Sequence, residues 1–215
     1  MNKRKFIFAV AAAMIAGGLL VASLRLPLWH MRMEAPQYKD QEALKVFVLP
    51  GSLHGDLNEI KVLNKYIGVT VPTTLPQTHW LPLTLSIIAG LGLVAAFLPS
   101  RIRRWAAFAV AVALCAAMLT AAGQAQVQMY RIGHDRNPHA ALKGIADFTP
   151  PLLGNRKLAQ FELESRLGFG SFAIIGAVLL YASMGFVSRE NRIKVSPAEK
   201  DSFAVPAQPV LDYAI

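Results

Sequence analysis

The sequence predicts an all-α membrane protein with four transmembrane helices, in which two non-cytoplasmic regions form a small mixed α/β cap. Three observations support this fold class. Hydrophobic residues make up 54% of the 215 residues and charged residues only 16%, which is typical of a membrane protein. The apolar residues are concentrated in four long segments. Basic residues are concentrated at alternate ends of these segments.

Each apolar segment has about the 20 residues that a helix needs to cross the hydrocarbon core of a bilayer. The predicted spans are 6–24, 81–98, 105–122 and 169–187, and none contains a charged residue. They divide the chain into a basic start with the first span (1–24), a first outer region (25–80), a helix pair joined by a short cytoplasmic turn (81–122), a second outer region (123–168), the fourth span (169–187) and a tail (188–215).

The orientation follows from the basic residues. Ten of them lie in the short segments 3–5, 101–104 and 189–200, which a four-span topology places on one side. Because lysine and arginine accumulate on the cytoplasmic side of membranes, both termini are predicted to be cytoplasmic. The twelve basic residues on the other side are offset by nine acids. The net charge of +9 thus reflects topology, and no nucleic-acid partner is predicted.

The first segment has a second interpretation. Its basic start, apolar run and Val21-Ala22-Ser23 ending are also features of a cleaved signal peptide. The run is as long as a membrane span, however, and this favours a retained helix.

The first outer region predicts strands and a short helix. Alternating leucines over 24–28 indicate an extended segment that leaves the membrane, and 43–49 indicates a second strand. Helical spacing of apolar residues over 57–63 predicts a short helix, capped by Asp56 or Asn58. The region is too small to bury a core alone, so we expect it to pack against the second outer region.

The polar stretch of the second outer region is the expected functional surface. Gly133 predicts a turn before His134 and Asp135. An Asn-Pro pair at 137–138 is typical of a helix N-terminus, so a short helix that includes His139 is predicted to follow.

Candidate metal ligands lie in both outer regions. All five histidines fall on the outer side of the predicted topology, together with Met31 and Met33. Thioether and imidazole groups are ligands that suit Cu(I). Because side chains alternate along a strand, Met31 and Met33 share one face and His30 lies on the other. We predict a copper site formed by Met31, Met33 and His134, with His30 and His139 as further candidate ligands. Asp135 is predicted to accept a hydrogen bond from a ligand imidazole and so orient it.

A structural interpretation of the same residues stays open, because histidine and methionine near a membrane interface often serve only packing. The sequence does not predict an enzyme. It contains no CxxCH haem motif and no phosphate-binding loop. The single cysteine, Cys115, lies within the third span, where we expect a small buried residue.

Three stretches of the outer regions resemble a known family. They are WHMRMEAPQY (29–38), GDLNEIKVLNKYIGV (55–69) and GHDRNPHAALKGIADFTPPLLG (133–154). They are similar to the EAPQYP-like, LNHYIGM-like and GHDLDP…PPLLG-like motifs of an uncharacterised family of bacterial four-helix membrane proteins. Many members are encoded near genes for nitrous oxide reductase maturation or copper. The resemblance implies a location in the bacterial inner membrane.

The resemblance also implies a function. It favours an accessory protein that presents or handles copper at the outer face of the inner membrane for a periplasmic cuproenzyme. The alternative is a non-catalytic structural subunit of a larger membrane-bound redox or copper monooxygenase complex. Its expected partners are the lipid bilayer and other membrane proteins. Lys65 and Val69 stand where the family motif has histidine and methionine, so two possible ligands are replaced in this chain.

A reporter enzyme can test the topology. A cytoplasmic reporter fused after Lys200 should be active, and an export-dependent reporter inserted near Gly51 should also be active, because the basic segments hold their side of the chain in the cytoplasm. The reverse pattern would reject the charge argument.

Overall fold

The computed structural model describes residues 3–34, 43–68, 76–135, 148–158 and 161–188. The described residues form helices and one sheet. In chain order the elements are α1 (Lys3–Ser23), β1 (Trp29–Glu34), β2 (Leu44–Leu49), β3 (Ser52–Gly55), α2 (Leu57–Ile67), a 3₁₀ turn (Pro76–Thr78), α3 (Trp80–Phe97), α4 (Ser100–His134), β4 (Gly154–Leu158), β5 (Phe161–Leu167) and α5 (Phe169–Val187).

The helices α1, α3, α4 and α5 are long and apolar enough to cross a membrane, and they contain the four predicted spans except for Leu24 and Leu98, which follow the ends of α1 and α3. α1 contacts α3 and α5, and α4 contacts the same two helices, so the four form a bundle in the order α1–α3–α4–α5. Small residues such as Ala13 and Ala16 are fully buried, which lets the backbones approach closely. This arrangement supports a multi-pass membrane protein.

The helix α4 is much longer than its neighbours. Its 35 residues extend about 52 Å at 1.5 Å per residue, whereas the hydrocarbon core is about 30 Å thick. Trp80 Nε1 donates a hydrogen bond to Gln124 Oε1, and Gln77 Nε2 donates one to Gln128 Oε1, each at 3.2 Å. These bonds hold the start of α3 against the C-terminal part of α4.

A five-stranded antiparallel sheet lies where α1 ends and α5 begins. Its strand order is β3-β2-β1-β5-β4, so β1 is the central strand. β1 pairs with β2 of the first outer region on one side and with β5 of the second outer region on the other. The expectation that the two outer regions pack together is confirmed, and their contact is a hydrogen-bonded strand pair.

The strands were predictable to different extents. β2 matches the strand predicted at 43–49. β4 and β5 lie in a region for which no strand is predicted, although the sequence FELESRL of β5 alternates as a half-buried strand does.

α2 follows Asp56 as predicted, and the Asp56 carbonyl accepts the bond from Ile60 N–H at 3.2 Å. The Asp56 carboxylate accepts a bond from Lys45 N–H of β2 at 2.8 Å, which ties this helix start to the sheet.

The bundle and the sheet are joined by the chain that leaves α1 and the chain that enters α5. Gly168 N–H donates to Leu28 O at 2.8 Å, and Gly170 N–H donates to Pro27 O at 2.9 Å. The buried Ser171 hydroxyl also donates to Leu28 O, at 2.7 Å. We call these five residues the α1–α5 junction. Through it, the β1–β5 pairing continues into the contact between α1 and α5.

Two predictions near the membrane are wrong. Residues 24–28 form turns and bends and not an extended segment, because Leu24 N–H and Arg25 N–H bond back to the last turn of α1. Cys115 lies in α4 as expected, but its side chain is exposed, since it lies on a face turned away from the bundle.

Replacing Gly168 with alanine is expected to destabilise the α1–α5 junction. Gly168 has φ −88° and ψ 169°, a conformation that any residue adopts, so the backbone imposes no strain. The added Cβ would lie 2.1 Å from Pro27 O, which is a backbone atom. We expect a loss of about 1–3 kcal/mol, the usual cost of overpacking, measured as a lower unfolding temperature in detergent.

Gly18→Ala in α1 is the matched control, because no described atom lies within 4 Å of a Cβ built there. Alanine is favoured over glycine inside a helix by about 0.5–1 kcal/mol, so this variant should unfold at or above the wild-type temperature. Equal unfolding temperatures for the two variants would reject the importance of the close contact with Pro27.

Candidate functional site

The central strand β1 carries three of the predicted copper ligands. Alternation along the strand places Met31 and Met33 on one face, with Trp29, and places His30 on the opposite face. Met31 lies between Val46 of β2 and Ser165 of β5, both of which are buried. The two thioether groups are therefore half-buried on a largely apolar face, where access by water is limited.

Ser165 is a polar group on this same face, and it was not among the predicted site residues. Its side chain is 1% exposed, and its hydroxyl has no hydrogen-bond partner among the described residues. The alternation of FELESRL is the sequence signal that places Ser165 on the inner face of a strand. Its position opposite Met31 could be found only from the β1–β5 register.

The opposite face of the sheet holds His30 in a polar, charged environment. The His30 ring lies beside Phe47, with 6.5 Å between ring centroids, and His54 is the cross-strand neighbour of Phe47. His54 Nε2 is 3.1 Å from Ser52 Oγ. The structure thus separates His30 from the two methionines by the thickness of the sheet.

His134 is the last residue of α4, and a local contact fixes its ring. Nδ1 lies 2.9 Å from Tyr130 O, and the ring stacks on the Tyr130 ring with centroids 3.9 Å apart. A carbonyl oxygen can only accept, so Nδ1 carries the hydrogen. In the neutral ring Nε2 then keeps its lone pair, which is the form that binds metals. The carbonyl of Tyr130 is thus an acceptor that orients this imidazole, the role predicted for Asp135.

Asp135 is exposed and follows the end of α4, where its N–H donates to Arg131 O at 2.8 Å. The predicted turn at Gly133 is wrong, because Gly133 lies inside α4. Glycine at this position instead allows another segment of the chain to approach the helix closely. A Cβ at Gly133 would lie 1.5 Å from Phe148 O, so only glycine permits the chain at Phe148 to lie against α4.

The segment 148–152 connects the end of α4 to the start of β1. At one end Phe148 O lies against Gly133, and at the other end Leu152 O accepts a 2.5 Å hydrogen bond from Trp29 Nε1. Pro150, between them, is buried. His134 follows Gly133, and Met31 lies two residues after Trp29. The segment 148–152 therefore holds the two parts of the predicted copper site, His134 and the methionines of β1, at the same end of the bundle.

His139 and the helix predicted over 138–143 lie outside the described residues. Among the described residues, no group of three or more His, Cys, Asp or Glu side chains could hold a metal ion. A copper site built from described residues therefore depends on the thioethers of Met31 and Met33. No protein-family model matches the chain, and no curated protein matches it.

Gly133→Ala is expected to displace the segment 148–152 from the end of α4. The new Cβ would overlap a backbone carbonyl, so either the segment or the last helical turn must move, at a cost of about 1–3 kcal/mol. Fluorescence of Trp29, whose indole bonds to the far end of this segment, reports the displacement alongside the unfolding temperature.

Gly123→Ala in the same helix is the control, since no described atom lies within 4 Å of a Cβ built there. This variant should keep the wild-type spectrum and unfold no earlier than the wild type. An unchanged spectrum and unfolding temperature in Gly133→Ala would show that the segment does not depend on this glycine.

Proposed function

We propose that this protein is an accessory protein of the bacterial inner membrane that handles copper at its outer face and presents it to a periplasmic cuproenzyme. Met31, Met33 and His134 are the proposed ligands, and copper is their cargo. The observation that carries the proposal is the pair of half-buried methionines on one face of the central strand. Two thioethers on one face form a soft donor set, which favours Cu(I) over harder cations.

The surroundings of the methionines support transient binding of a soft cation. Val46 and Leu163 are buried beside them and limit access by water. The residues paired with the two methionines in the neighbouring strands carry no carboxylate, so the donor set does not suit Mg²⁺ or Ca²⁺, which take oxygen ligands.

His134 supplies an imidazole of the required form. The Nδ1–H bond to Tyr130 O leaves Nε2 as the free nitrogen, and the stacked Tyr130 ring restricts the rotation of the imidazole. Because His134 ends a helix and is partly exposed, we expect its ring to pass the metal to a partner that docks outside the membrane. The resemblance to a family encoded near copper genes agrees with this function.

The test is copper content after purification under reducing conditions from copper-supplemented cells. Replacing Met31, Met33 and His134 with alanine together should lower copper content at least about tenfold, since ligand loss weakens metal binding by this order or more. The amount of protein in the membrane should not change, because insertion depends on the apolar spans.

The control replaces the same residue types elsewhere in the outer regions. Met129→Ala with His54→Ala should leave copper content within twofold of wild type, a margin of roughly 0.4 kcal/mol. Wild-type protein without copper under these conditions, or equal losses in both variants, would reject the copper function.

A second candidate function is that of a non-catalytic subunit that scaffolds a larger membrane complex. It is favoured by the C-terminal part of α4, where Val127 is 53% exposed and Tyr130 is 55% exposed beyond the predicted span. Exposed apolar side chains outside a membrane are typical of protein interfaces. If the protein is such a subunit, Val127→Glu should lower the mass of the native complex and leave copper content unchanged. If the protein handles copper, the Met31, Met33 and His134 alanine variant should lose copper and keep the native mass of the wild type.

A further inference from the structure

The end of the bundle opposite the sheet is rich in basic residues. The described residues at this end include Lys3, Arg4 and Lys5 of α1 and Arg101, Arg103 and Arg104 of α4. None of the helices α1, α3, α4 and α5 contains an aspartate or a glutamate. The four long helices therefore supply no carboxylate to the buried Arg103.

Arg103 is the exceptional member of this group, because its side chain is only 1% exposed. Its side chain extends from the first turn of α4 to the end of α5, where Arg103 Nε donates a hydrogen bond to Ser188 Oγ at 3.0 Å. Nη1 is buried and has no hydrogen-bond partner among the described residues. A guanidinium has five N–H donors and no acceptor, so a buried one needs acceptors around it.

Burying a cation without an anion is unfavourable, because the lost hydration is not replaced. The hydroxyl of Ser188 satisfies one donor but brings no charge. The burial of Arg103 is therefore understandable if an anionic group completes its surroundings when the protein lies in a membrane.

The neighbouring residues indicate the level of the lipid headgroups. Trp105 is 67% exposed, and the guanidinium of Arg104 lies over its ring, 5.5 Å from the centroid. Exposed tryptophan at a helix end is typical of the membrane–water interface. Arg104 Nε is also buried without a partner among the described residues. Arg103 and Arg104 thus have unsatisfied donors at the depth of lipid phosphates, beside the positive N-terminus of α4.

We propose that Arg103 and Arg104, with Ser188, form a binding site for the phosphate of an anionic phospholipid in the cytoplasmic leaflet. The planar guanidinium matches phosphate oxygens through paired hydrogen bonds, which lysine does not reproduce. Basic pockets between transmembrane helices on the cytoplasmic side bind anionic headgroups in the same way. Because Nη1 is buried, side chains around it must shift when the phosphate enters.

The experiment uses full-length protein stripped of lipid in a neutral detergent and titrated with phosphatidylglycerol or phosphatidylcholine, with bound lipid counted by native mass spectrometry. Wild-type protein should bind phosphatidylglycerol at least about tenfold more tightly than phosphatidylcholine, consistent with guanidinium recognition of an anionic headgroup. Arg103→Gln should remove most of this preference. Arg103→Lys should keep only part of the preference for phosphatidylglycerol, because the ammonium group keeps the charge but cannot form the paired hydrogen bonds of a planar guanidinium.

Arg101→Gln is the matched control, because Arg101 is exposed and lies in the same turn of α4. It loses the same charge and should change the affinity less than about twofold, as expected for a screened surface charge. Equal losses in the Arg101 and Arg103 variants would show diffuse attraction and overturn the proposal. So would a wild-type protein that binds both lipids equally, a result that does not depend on the folding of any variant.

Two further measurements identify the source of the anion. Inorganic phosphate at millimolar concentration should not reproduce the rise in unfolding temperature caused by phosphatidylglycerol, and an equal rise would replace the lipid with free phosphate. Glu190 is the nearest acid after Ser188 in the sequence and lies outside the described residues. Glu190→Gln should leave the lipid preference intact. Loss of that preference in Glu190→Gln would assign the role to an internal ion pair instead.

Discussion

The α1–α5 junction is the constraint on which the rest of the structure depends. Three short hydrogen bonds from residues 168–171 reach the carbonyls of Pro27 and Leu28, and they join two chain segments that emerge from different helices. Gly168 makes this approach possible, because a side chain there would occupy the position of Pro27 O. With the junction in place, β1 and β5 leave the bundle already in register. The inner face of the sheet, including Met31 and Met33, is fixed as a consequence.

A second close contact extends the same arrangement to α4. At Gly133 the backbone of Phe148 in the second outer region lies against the helix, and farther along the same segment Leu152 O accepts the hydrogen bond from the Trp29 indole. Helix α4 therefore also supports the sheet, through the segment 148–152. Polar bonds from Gln124 and Gln128 to the start of α3 complete the connection. The outer regions are held by the ends of all four long helices and do not depend on a large core of their own.

Much of this architecture is readable in the sequence because it is local. Length and hydropathy identify each span independently of the others, and basic residues orient them. The sharing of one face by Met31 and Met33 follows from strand alternation alone. The pairing of β1 with β5 is different, since the paired residues, such as Trp29 and Leu167, are far apart in the chain. Hydropathy gives no information about such a partner.

The candidate site shows the same division. Met31 and His30 could be assigned to opposite faces before their neighbours were known. The buried hydroxyl of Ser165 beside Met31 could not, because its place depends on the β1–β5 register. The turn predicted at Gly133 is wrong for a related reason. A glycine in a polar stretch usually indicates a turn, and only the position of Phe148 O shows that close backbone approach is the reason for it here.

The strand order also determines when the sheet can form during biosynthesis. β1 and β2 leave the ribosome early, but β5 follows α4 and directly precedes α5. Until β5 is synthesised and reaches β1, one edge of β1 has no strand beside it, and an open edge can pair with other chains. Such long-range pairing is slow and leaves partly folded chains vulnerable in the meantime. A chain in which β5 does not reach β1 would keep this edge open, so the sheet gives chaperones and proteases a means to distinguish incomplete molecules from finished ones.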